Sequence, residues 1–315
     1  MKIAIIGTGL VGSAWAIVFA RAGCAVSLFD SVPGTADKAV AMIAERLQDL
    51  EHSRLIDRGA TVLARIGKAA SLAEAVEGAT YVQESVFETV ADKRAIFSAL
   101  DNVVGPDTVI GSSSSGIPAS AFTDHVACRA RCLIAHPANP PYLIPVVELV
   151  PAPWTSPETM ARVRALMSEV GQEPIALTRE IQGFVINRLQ GALLSEAWQL
   201  VADGIASVED IDRTVSAGLG LRWSFMGPFE TIDLNAPGGV ADYARRFGPL
   251  YKDIHDSRRE VRDWDDALIA EIERQRREAL AQASLPTRSA WRDRRLMALA
   301  RHKRAMADKD RTEEN

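Results

Sequence analysis

The strongest constraint on the fold lies at the start of the chain, MKIAIIGTGLVGSAW, where an apolar strand pattern runs directly into Gly7, Gly9 and Gly12. Glycines in a G-x-G-x-x-G pattern between a strand and a helix allow a tight turn, close approach of the backbone to an anion, and close helix packing. The N-terminus of the following helix then faces a phosphate group. An ordinary strand-to-helix turn is the alternative. The pattern predicts a dinucleotide site that also includes Leu10 and Val11.

A carboxylate follows the second predicted strand, Ala25 to Phe29. Asp30 lies 23 positions after Gly7, where an acid accepts hydrogen bonds from the adenosine ribose hydroxyls. The same carboxylate would repel a 2′-phosphate, and Ser31 and Val32 follow it rather than an arginine. We therefore expect NAD as the cofactor in preference to NADP.

The order of predicted elements indicates an α/β fold. Short apolar strand patterns alternate with helical ones up to about Thr178 to Gln182, and from Gly183 the pattern is helical. Such alternation predicts an N-terminal Rossmann-like, doubly wound parallel sheet followed by an all-α C-terminal domain. We expect an NAD-binding domain at residues 1–181 and a helical substrate and dimerisation domain at 182–315. The predicted strands are Lys2 to Ile6, Ala25 to Phe29, Thr80 to Gln83, Thr108 to Gly111, Arg131 to Ala135, Pro145 to Val150 and Pro174 to Leu177.

Composition excludes several classes of partner. The net charge is −5 and the pI about 5.7, so the basic surface of a nucleic-acid-binding protein is missing. The sequence has no apolar run near the roughly 20 residues that cross a bilayer. Cys24, Cys128 and Cys132 have no metal-ligand spacing and suit buried, reduced thiols. We expect a cytoplasmic protein with no metal, no membrane partner and no nucleic-acid partner.

A histidine and a glutamate form the first half of a candidate chemical site. His136 ends a predicted strand at the sheet edge where open α/β folds bind ligands, and a neutral imidazole can take a hydroxyl proton near neutral pH. Glu148 lies in the apolar segment Pro145 to Val150, where an unpaired carboxylate would be costly to bury. If the NPPYLIP segment turns the chain back, Glu148 can orient His136. A structural histidine and an edge-strand glutamate are the alternatives.

A serine and an asparagine complete the candidate site. Ser115 lies in a serine-rich turn after another predicted strand, so its hydroxyl can reach a substrate oxygen. Asn187 lies on the first helix of the second domain, on one stripe with Gly191, Leu194 and Trp198. A plain loop is the alternative for the serine, and a core amide that bonds the backbone is the alternative for the asparagine.

Two longer motifs, HPANP from His136 and GFVINR from Gly183, resemble the H-x-x-N-P and G-F-x-x-N-R motifs of the 3-hydroxyacyl-CoA dehydrogenase family. The resemblance covers nearly the whole chain. It implies NAD-dependent oxidation of a 3-hydroxyl group and, as in that family, a homodimer. By the same likeness, Glu84 and Lys93 match positions that line the dinucleotide site. The roles implied for the candidate site are His136 as general base, Glu148 as its orienting partner, and Ser115 and Asn187 as ligands of the substrate oxygen.

Within the family, the segments HPANPPYLIPVVELVPAPWT and GLGLRWSFMGPFETIDLN look more like the lambda-crystallin branch, which is L-gulonate 3-dehydrogenase, than like the fatty-acid enzymes. Arg222 is the main departure from the acyl-CoA branch, because a guanidinium can grip a free carboxylate. A surface arginine covering Trp223 is the alternative. We expect a small, L-gulonate-like 3-hydroxy acid as substrate. The alternatives are carnitine, 3-hydroxybutyryl-CoA, whose phosphates Arg54, Arg58, Arg65 and Lys68 could meet, or a non-catalytic NAD-binding crystallin.

Overall fold

A computed structural model of the chain describes residues 1–257 and 263–313. By their internal contacts these residues form two compact units, one of Met1–Arg188 with Ala290–Asn315 and one of Leu189–Ser289. The functional division into residues 1–181 and 182–315 stays a prediction.

Within the described ranges, the strands of the first unit form one eight-stranded sheet in the order β3-β2-β1-β4-β5-β6-β7-β8. The order reverses between β1 and β4, and open α/β sheets bind ligands at such a point, beyond the carboxyl ends of the strands. The doubly wound sheet expected from the sequence is therefore present. The strands are β1 (Lys2–Ile6), β2 (Ala25–Phe29), β3 (Ile66–Lys68), β4 (Tyr81–Glu84), β5 (Val109–Ser112), β6 (Cys132–Pro137), β7 (Val146–Pro151) and β8 (Glu173–Ala176).

One strand pairing departs from the expected parallel sheet. Strands β6 and β7 are antiparallel, whereas the other pairings are parallel. The chain reverses between them, where the Leu143 N–H donates to the Pro140 carbonyl at 2.9 Å and the Ala138 N–H to the Val146 carbonyl at 3.2 Å. This reversal places His136 directly opposite Glu148 in the register. Directly opposite residues of an antiparallel pair lie on the same face of the sheet.

Helices cover both faces of the sheet and bury an apolar core on each. Trp15, Phe19 and Tyr81 belong to the core on one face, and Phe97 and Phe122 to the core on the other. Packing of this kind holds the strand ends in place, which any site at the sheet edge requires. The helices up to this unit's last strand are α1 (Leu10–Arg21), α2 (Thr35–His52), α3 (Gly59–Leu63), α4 (Leu72–Val76), α5 (Val90–Asp101), α6 (Ser120–Thr123) and α7 (Pro157–Glu169).

The rest of the chain, within residues 183–257 and 263–313, is helical, as the sequence predicts. Within the described part of Leu189–Ser289, only Val208, Thr231, Ala236 and Leu268 are buried. None of the helices in the described ranges is long and apolar enough to span a membrane. The remaining helices are α8 (Ile186–Ala202), α9 (Val208–Thr214), α10 (Gly220–Trp223), α11 (Pro228–Leu234), α12 (Gly239–Asp256), α13 (Asp266–Ala279) and α14 (Leu285–Glu313).

The last helix packs, from Ala290 onward, with the first unit rather than with its sequence neighbours. Met297 is buried in the core beside α1 and α2, and its sulfur accepts a hydrogen bond from the Ser53 hydroxyl at 3.1 Å. The Arg304 guanidinium donates to the Leu55 carbonyl at 3.3 Å. The C-terminal segment is thus part of the sheet-bearing unit.

Candidate active site

The glycines of the first turn have different surroundings. Gly7 has a positive φ of 89°, and a Cβ added there would lie 2.6 Å from the Ser85 carbonyl oxygen. A Cβ at Gly12 would lie 1.9 Å from the Gly7 carbonyl oxygen. A Cβ at Gly9 would meet no atom of the described chain within 4 Å. The first and third glycines are therefore required by the fold, while Gly9 faces open space.

That open space is a cleft of about 520 Å³ at the carboxyl ends of β1 and β2. Gly7, Gly9, Leu10, Val11 and Asp30 all line it. Helix α1 begins at its edge, and no side chain of the described residues caps that helix at Gly9. The first N–H groups of a helix need partners, and a phosphate supplies them. The cleft thus fits the pyrophosphate of a dinucleotide.

Asp30 is held in place by the turn itself. One carboxylate oxygen accepts hydrogen bonds from the Thr8 N–H at 2.8 Å and from the Thr8 hydroxyl at 3.1 Å, and the other accepts from the Val32 N–H at 3.0 Å. These bonds fix the carboxylate at the cleft, where it can accept hydrogen bonds from ribose hydroxyls. Thr8 is a partner that the sequence analysis did not single out.

Glu84, at the end of β4, and Lys93, on α5, form a buried ion pair. They are 0% and 1% exposed, and the Lys93 ammonium donates to both Glu84 carboxylate oxygens at 3.0 Å. Glu84 also accepts hydrogen bonds from the Ser112 hydroxyl and from the Val86 N–H. A buried pair with these bonds is satisfied within the protein. Direct contact of either residue with the dinucleotide stays a prediction. In this structure, the two side chains are hydrogen-bonded to each other.

The side chains of His136 and Glu148 are hydrogen-bonded to each other. The His136 Nδ1 lies 2.7 Å from the Glu148 Oε2, and the glutamate is fully buried. Burial alone would raise the pKa of Glu148, but hydrogen bonds from His136 and from the Ile186 and Val185 N–H groups outweigh burial and lower that pKa. An ionised carboxylate can only accept, so Nδ1 of His136 is the donor in this contact, and in the neutral imidazole Nε2 is then the acceptor.

Glu148 also fixes the start of helix α8. Its Oε1 accepts hydrogen bonds from the Val185 N–H at 2.7 Å and from the Ile186 N–H at 2.9 Å. These donors point at the carboxylate because Gly183 and Phe184 both have positive φ, 75° and 52°. A positive φ is unusual for phenylalanine and is kept only where the surroundings enforce it. The Phe184 ring is fully buried, and its centroid lies 5.9 Å from that of the His136 ring.

Ser115 and Asn187 are in direct contact. The Asn187 side-chain amide donates to the Ser115 carbonyl at 2.6 Å. The Ser115 hydroxyl donates to Glu88 Oε2 at 2.7 Å, and its N–H to Glu88 Oε1 at 2.6 Å. Burial alone would raise the pKa of Glu88, but hydrogen bonds from Ser115, Gly116 and Ser114 outweigh it and lower that pKa.

One chain of contacts therefore unites the four predicted residues. It runs from His136 through Glu148 to the N-terminus of α8, and from Asn187 on that helix to Ser115. Arg222 lies in the other unit, on α10, after a turn of π-helix at Val215–Leu219, and its role stays a prediction.

Glu88 is a second residue, after Thr8, that the sequence did not point to. Its position after β4 placed it at the ligand-binding edge, but no pattern in the sequence pointed to its partners. Among the described residues, no group of three or more His, Cys, Asp or Glu side chains is arranged to hold a metal ion.

Comparisons with known proteins match the two halves of the chain to two domains of one family. The family model described as the 3-hydroxyacyl-CoA dehydrogenase NAD-binding domain matches residues 2–181, and the model described as the C-terminal domain of the same family matches residues 183–276. The whole of the terminal helix α14 lies beyond both matches.

Individual relatives cover almost the whole chain. Lambda-crystallin of Oryctolagus cuniculus is 40% identical, over 96% of this chain and 97% of its own length. An L-carnitine dehydrogenase/betainyl-CoA thioesterase of Rhizobium meliloti (strain 1021) is 37% identical, over 95% of this chain and 60% of its own length. A solved 5-formyl-3-hydroxy-2-methylpyridine 4-carboxylic acid 5-dehydrogenase, an NAD⁺-dependent dismutase, is 28% identical with a TM-score of 0.80, over 97% of this chain and 98% of that one.

Proposed function

Because the chain belongs to the 3-hydroxyacyl-CoA dehydrogenase family and is an NAD-dependent oxidoreductase, we propose that it oxidises the 3-hydroxyl of a small 3-hydroxy acid to the 3-keto acid. The observation that carries this proposal is the 2.7 Å contact between His136 and Glu148 at the ligand-binding edge of the sheet. A histidine held in this way is arranged to take a proton.

In the proposed reaction, the Nε2 of His136 takes the proton of the C3 hydroxyl. Gly7, Gly9 and Asp30, which line the cleft, would hold NAD, and the bound cofactor would supply the acceptor for the hydride from C3. Glu148 accepts the hydrogen bond from Nδ1, which fixes the imidazole tautomer and stabilises the imidazolium that forms. The Asn187 amide has a second N–H group, which can donate to the substrate oxygen as negative charge develops on it.

The basic residues on the N-terminal domain give limited support to a CoA substrate. Of the four that could meet nucleotide phosphates, Arg65 donates to the Ala20 carbonyl at 2.9 Å and Lys68 pairs with Asp37. A site for the phosphates of CoA would need basic side chains that are not already bonded to other groups of the protein. The names of two relatives support a small acid, since carnitine is itself a 3-hydroxy acid and the pyridine enzyme acts on a carboxylic acid.

Arg222 is the residue that we propose to select the acid. A guanidinium pairs with a free carboxylate through two parallel hydrogen bonds, and a CoA thioester presents no such group next to the reacting carbon. The remaining candidate substrates are carnitine and 3-hydroxybutyryl-CoA. A non-catalytic, crystallin-like NAD-binding protein is the candidate of a different class, and the assembled His136–Glu148 pair favours an enzyme over it.

A comparison of kcat/KM with NAD for L-gulonate, L-carnitine and 3-hydroxybutyryl-CoA tests the substrate class. We expect the highest value for L-gulonate, and we expect Arg222→Met to lower kcat/KM for the small acids by about tenfold, as loss of one ion pair to substrate would. A thioester preference, or wild-type values in the variant, contradicts the proposal. If no hydroxy acid yields NADH while NAD still raises the melting temperature, the non-catalytic function holds.

We also propose that the protein is cytoplasmic. Cys24, Cys128 and Cys132 are free and buried, as expected of thiols in a reducing compartment. Cell fractionation that recovers the protein in an oxidising compartment would argue against this location.

A further inference from the structure

Arg222 lies on a helix that is not regular along its length. Helical residues run without a break from Val208 to Trp223, but the five residues Val215–Leu219 between α9 and α10 form a turn of π-helix. The Gly220 N–H donates to the Val215 carbonyl, five residues before it instead of four. A π-helix turn inside an α-helix is rare, and such turns occur frequently at functional sites. The proposed function uses Arg222 but leaves this turn without a role.

The π-helix turn changes the side of the helix on which Arg222 lies. Each residue of an α-helix turns the chain by about 100°, so positions eleven apart lie on nearly the same side. In a regular helix Arg222 would therefore lie on the side of Ile211, which lines a mostly apolar cavity with Leu194 and Ile272. A π-helix turn contains one extra residue, so the residues after it are rotated by about 100°. Arg222 is thereby turned off the apolar side of the helix, and its side chain is exposed.

Gly220 is the residue that allows the π-helix turn. A Cβ added there would lie 2.9 Å from the Val215 carbonyl oxygen, which is the acceptor of the Gly220 N–H. The colliding atom belongs to the main chain, so a side chain at position 220 must lengthen or break that hydrogen bond. Gly218, which lies within the turn, is different, because a Cβ there would meet no atom of the described residues within 4 Å. Two glycines in the same region thus differ in whether the backbone requires them.

A hydroxyl at the start of the turn supports the same geometry. The Ser216 hydroxyl donates to the Asp212 carbonyl at 2.7 Å, and the Val215 N–H is shared between the Ile211 and Asp212 carbonyls. Side-chain hydroxyls that bond the carbonyl four residues earlier compete with the main-chain hydrogen bond and bend helices. Ser216 and Gly220 therefore act on the two ends of one turn.

We propose that Gly220 is a positioning residue for substrate recognition, because it permits the π-helix turn that directs the Arg222 guanidinium to the carboxylate of the acid. This inference rests on the proposed function and adds the backbone feature that lets this arginine act. A guanidinium presents two parallel N–H groups to a carboxylate, and the pair forms only when the backbone holds the arginine in the right direction.

The test compares Gly220→Ala with Gly218→Ala, the matched control, on L-gulonate and on its uncharged amide. We expect Gly220→Ala to raise KM for the acid by about tenfold with kcat within about twofold of wild type, because a carboxylate contact binds substrate and transition state alike. The amide has no carboxylate, so its KM should change by less than about twofold. Gly218→Ala should match wild type on both substrates, and the Kd for NADH should be unchanged in both variants.

A double mutant shows whether Gly220 acts through Arg222. In the Arg222→Met background, Gly220→Ala should have no further effect on KM for the acid, because the contact that it misdirects is already gone. Three results would overturn the inference: equal losses in both backgrounds, an equal loss with the amide, or a wild-type KM for the acid in a folded Gly220→Ala protein.

The outcomes separate this inference from the proposed function. If Arg222→Met keeps the wild-type KM for the acid, the proposed role of Arg222 fails and the inference fails with it. If Arg222→Met is impaired while Gly220→Ala behaves as wild type, only the inference is overturned. If Gly220→Ala does not fold, as judged by NADH affinity and melting temperature, Ser216→Ala decides: a raised KM for the acid that disappears in the Arg222→Met background supports the inference, and a wild-type KM overturns it.

Discussion

At the scale of single residues, the active-site region is defined by which atoms donate and which accept. The carboxylates of Asp30, Glu88 and Glu148 accept hydrogen bonds from N–H and O–H groups of the surrounding loops. Each therefore orients a neighbour: Glu148 sets the tautomer of His136, and Glu88 sets the direction of the Ser115 hydroxyl. Removing the charge from one of them changes the hydrogen bonds of its partner as well as its own.

The lowered pKa of Glu148 predicts how stability varies with pH. A carboxylate with a lowered folded-state pKa contributes stability that is complete above its ordinary value of 4.5 and is lost as the pH falls through the lowered value. We expect Glu148→Gln to unfold more easily than wild type above pH 4.5, with the difference shrinking in more acid solution. Urea unfolding at a series of pH values measures this. A difference that stays constant with pH would show that the charge of Glu148 contributes nothing.

At the scale of elements, the first turn separates glycines that the fold needs from the glycine that faces the cleft. We expect Gly12→Ala to cost about 1–3 kcal/mol of stability, because its methyl group would collide with the Gly7 carbonyl. We expect Gly9→Ala to cost less than Gly12→Ala, about 0.5–1 kcal/mol, since its φ of −65° suits alanine and the space is open, and alanine is only a poorer N-cap than glycine.

Gly9→Ala should affect NAD binding more strongly than it affects stability. A methyl group there lies where the pyrophosphate approaches, so the Kd for NAD should rise by about tenfold, or about 1.4 kcal/mol. Calorimetric titration with NAD and thermal unfolding measure the two effects separately. Wild-type NAD affinity in a folded Gly9→Ala protein would show that the pyrophosphate does not bind at this turn.

Most of the sheet could be predicted from the sequence, because strand patterns depend on local periodicity. Strands β1 and β2 have the predicted bounds, and five others lie within one or two residues of theirs. The three-residue β3 was missed because it is too short for a pattern and contains Gly67. Strands β7 and β8 run opposite to the other six, which the general expectation of a parallel sheet does not include, although a reversal of the chain at NPPYLIP was considered.

The candidate site was predictable where a residue's partner lies on a neighbouring strand. The pairing of His136 with Glu148 followed from the cost of burying a carboxylate and from the turn between their strands. The roles of Glu84, Lys93 and Glu88 were not visible, because their contacts depend on side chains from separate parts of the chain. Such contacts have no periodicity along the sequence.

At the scale of the whole molecule, few of the described side chains in the unit Leu189–Ser289 are buried. Leu221, Phe225, Phe229 and Leu234 are each more than 60% exposed. Contiguous patches of exposed apolar side chains mark interaction surfaces, and these four residues all lie between positions 221 and 234. We propose that a second copy of the chain covers them in a homodimer. Sedimentation should give the mass of a dimer, and the melting temperature should rise with protein concentration. A monomer at micromolar concentration would contradict this proposal.

The proposed function requires His136 to be the base of an NAD-dependent oxidation. The most direct measurement is kcat/KM of His136→Gln for L-gulonate, with the Kd for NAD measured on the same sample. We predict a loss of about 10²–10⁴-fold in kcat/KM with NAD affinity unchanged, the effect of removing a general base. A variant that binds NAD normally and oxidises the acid within about threefold of wild type would contradict the account.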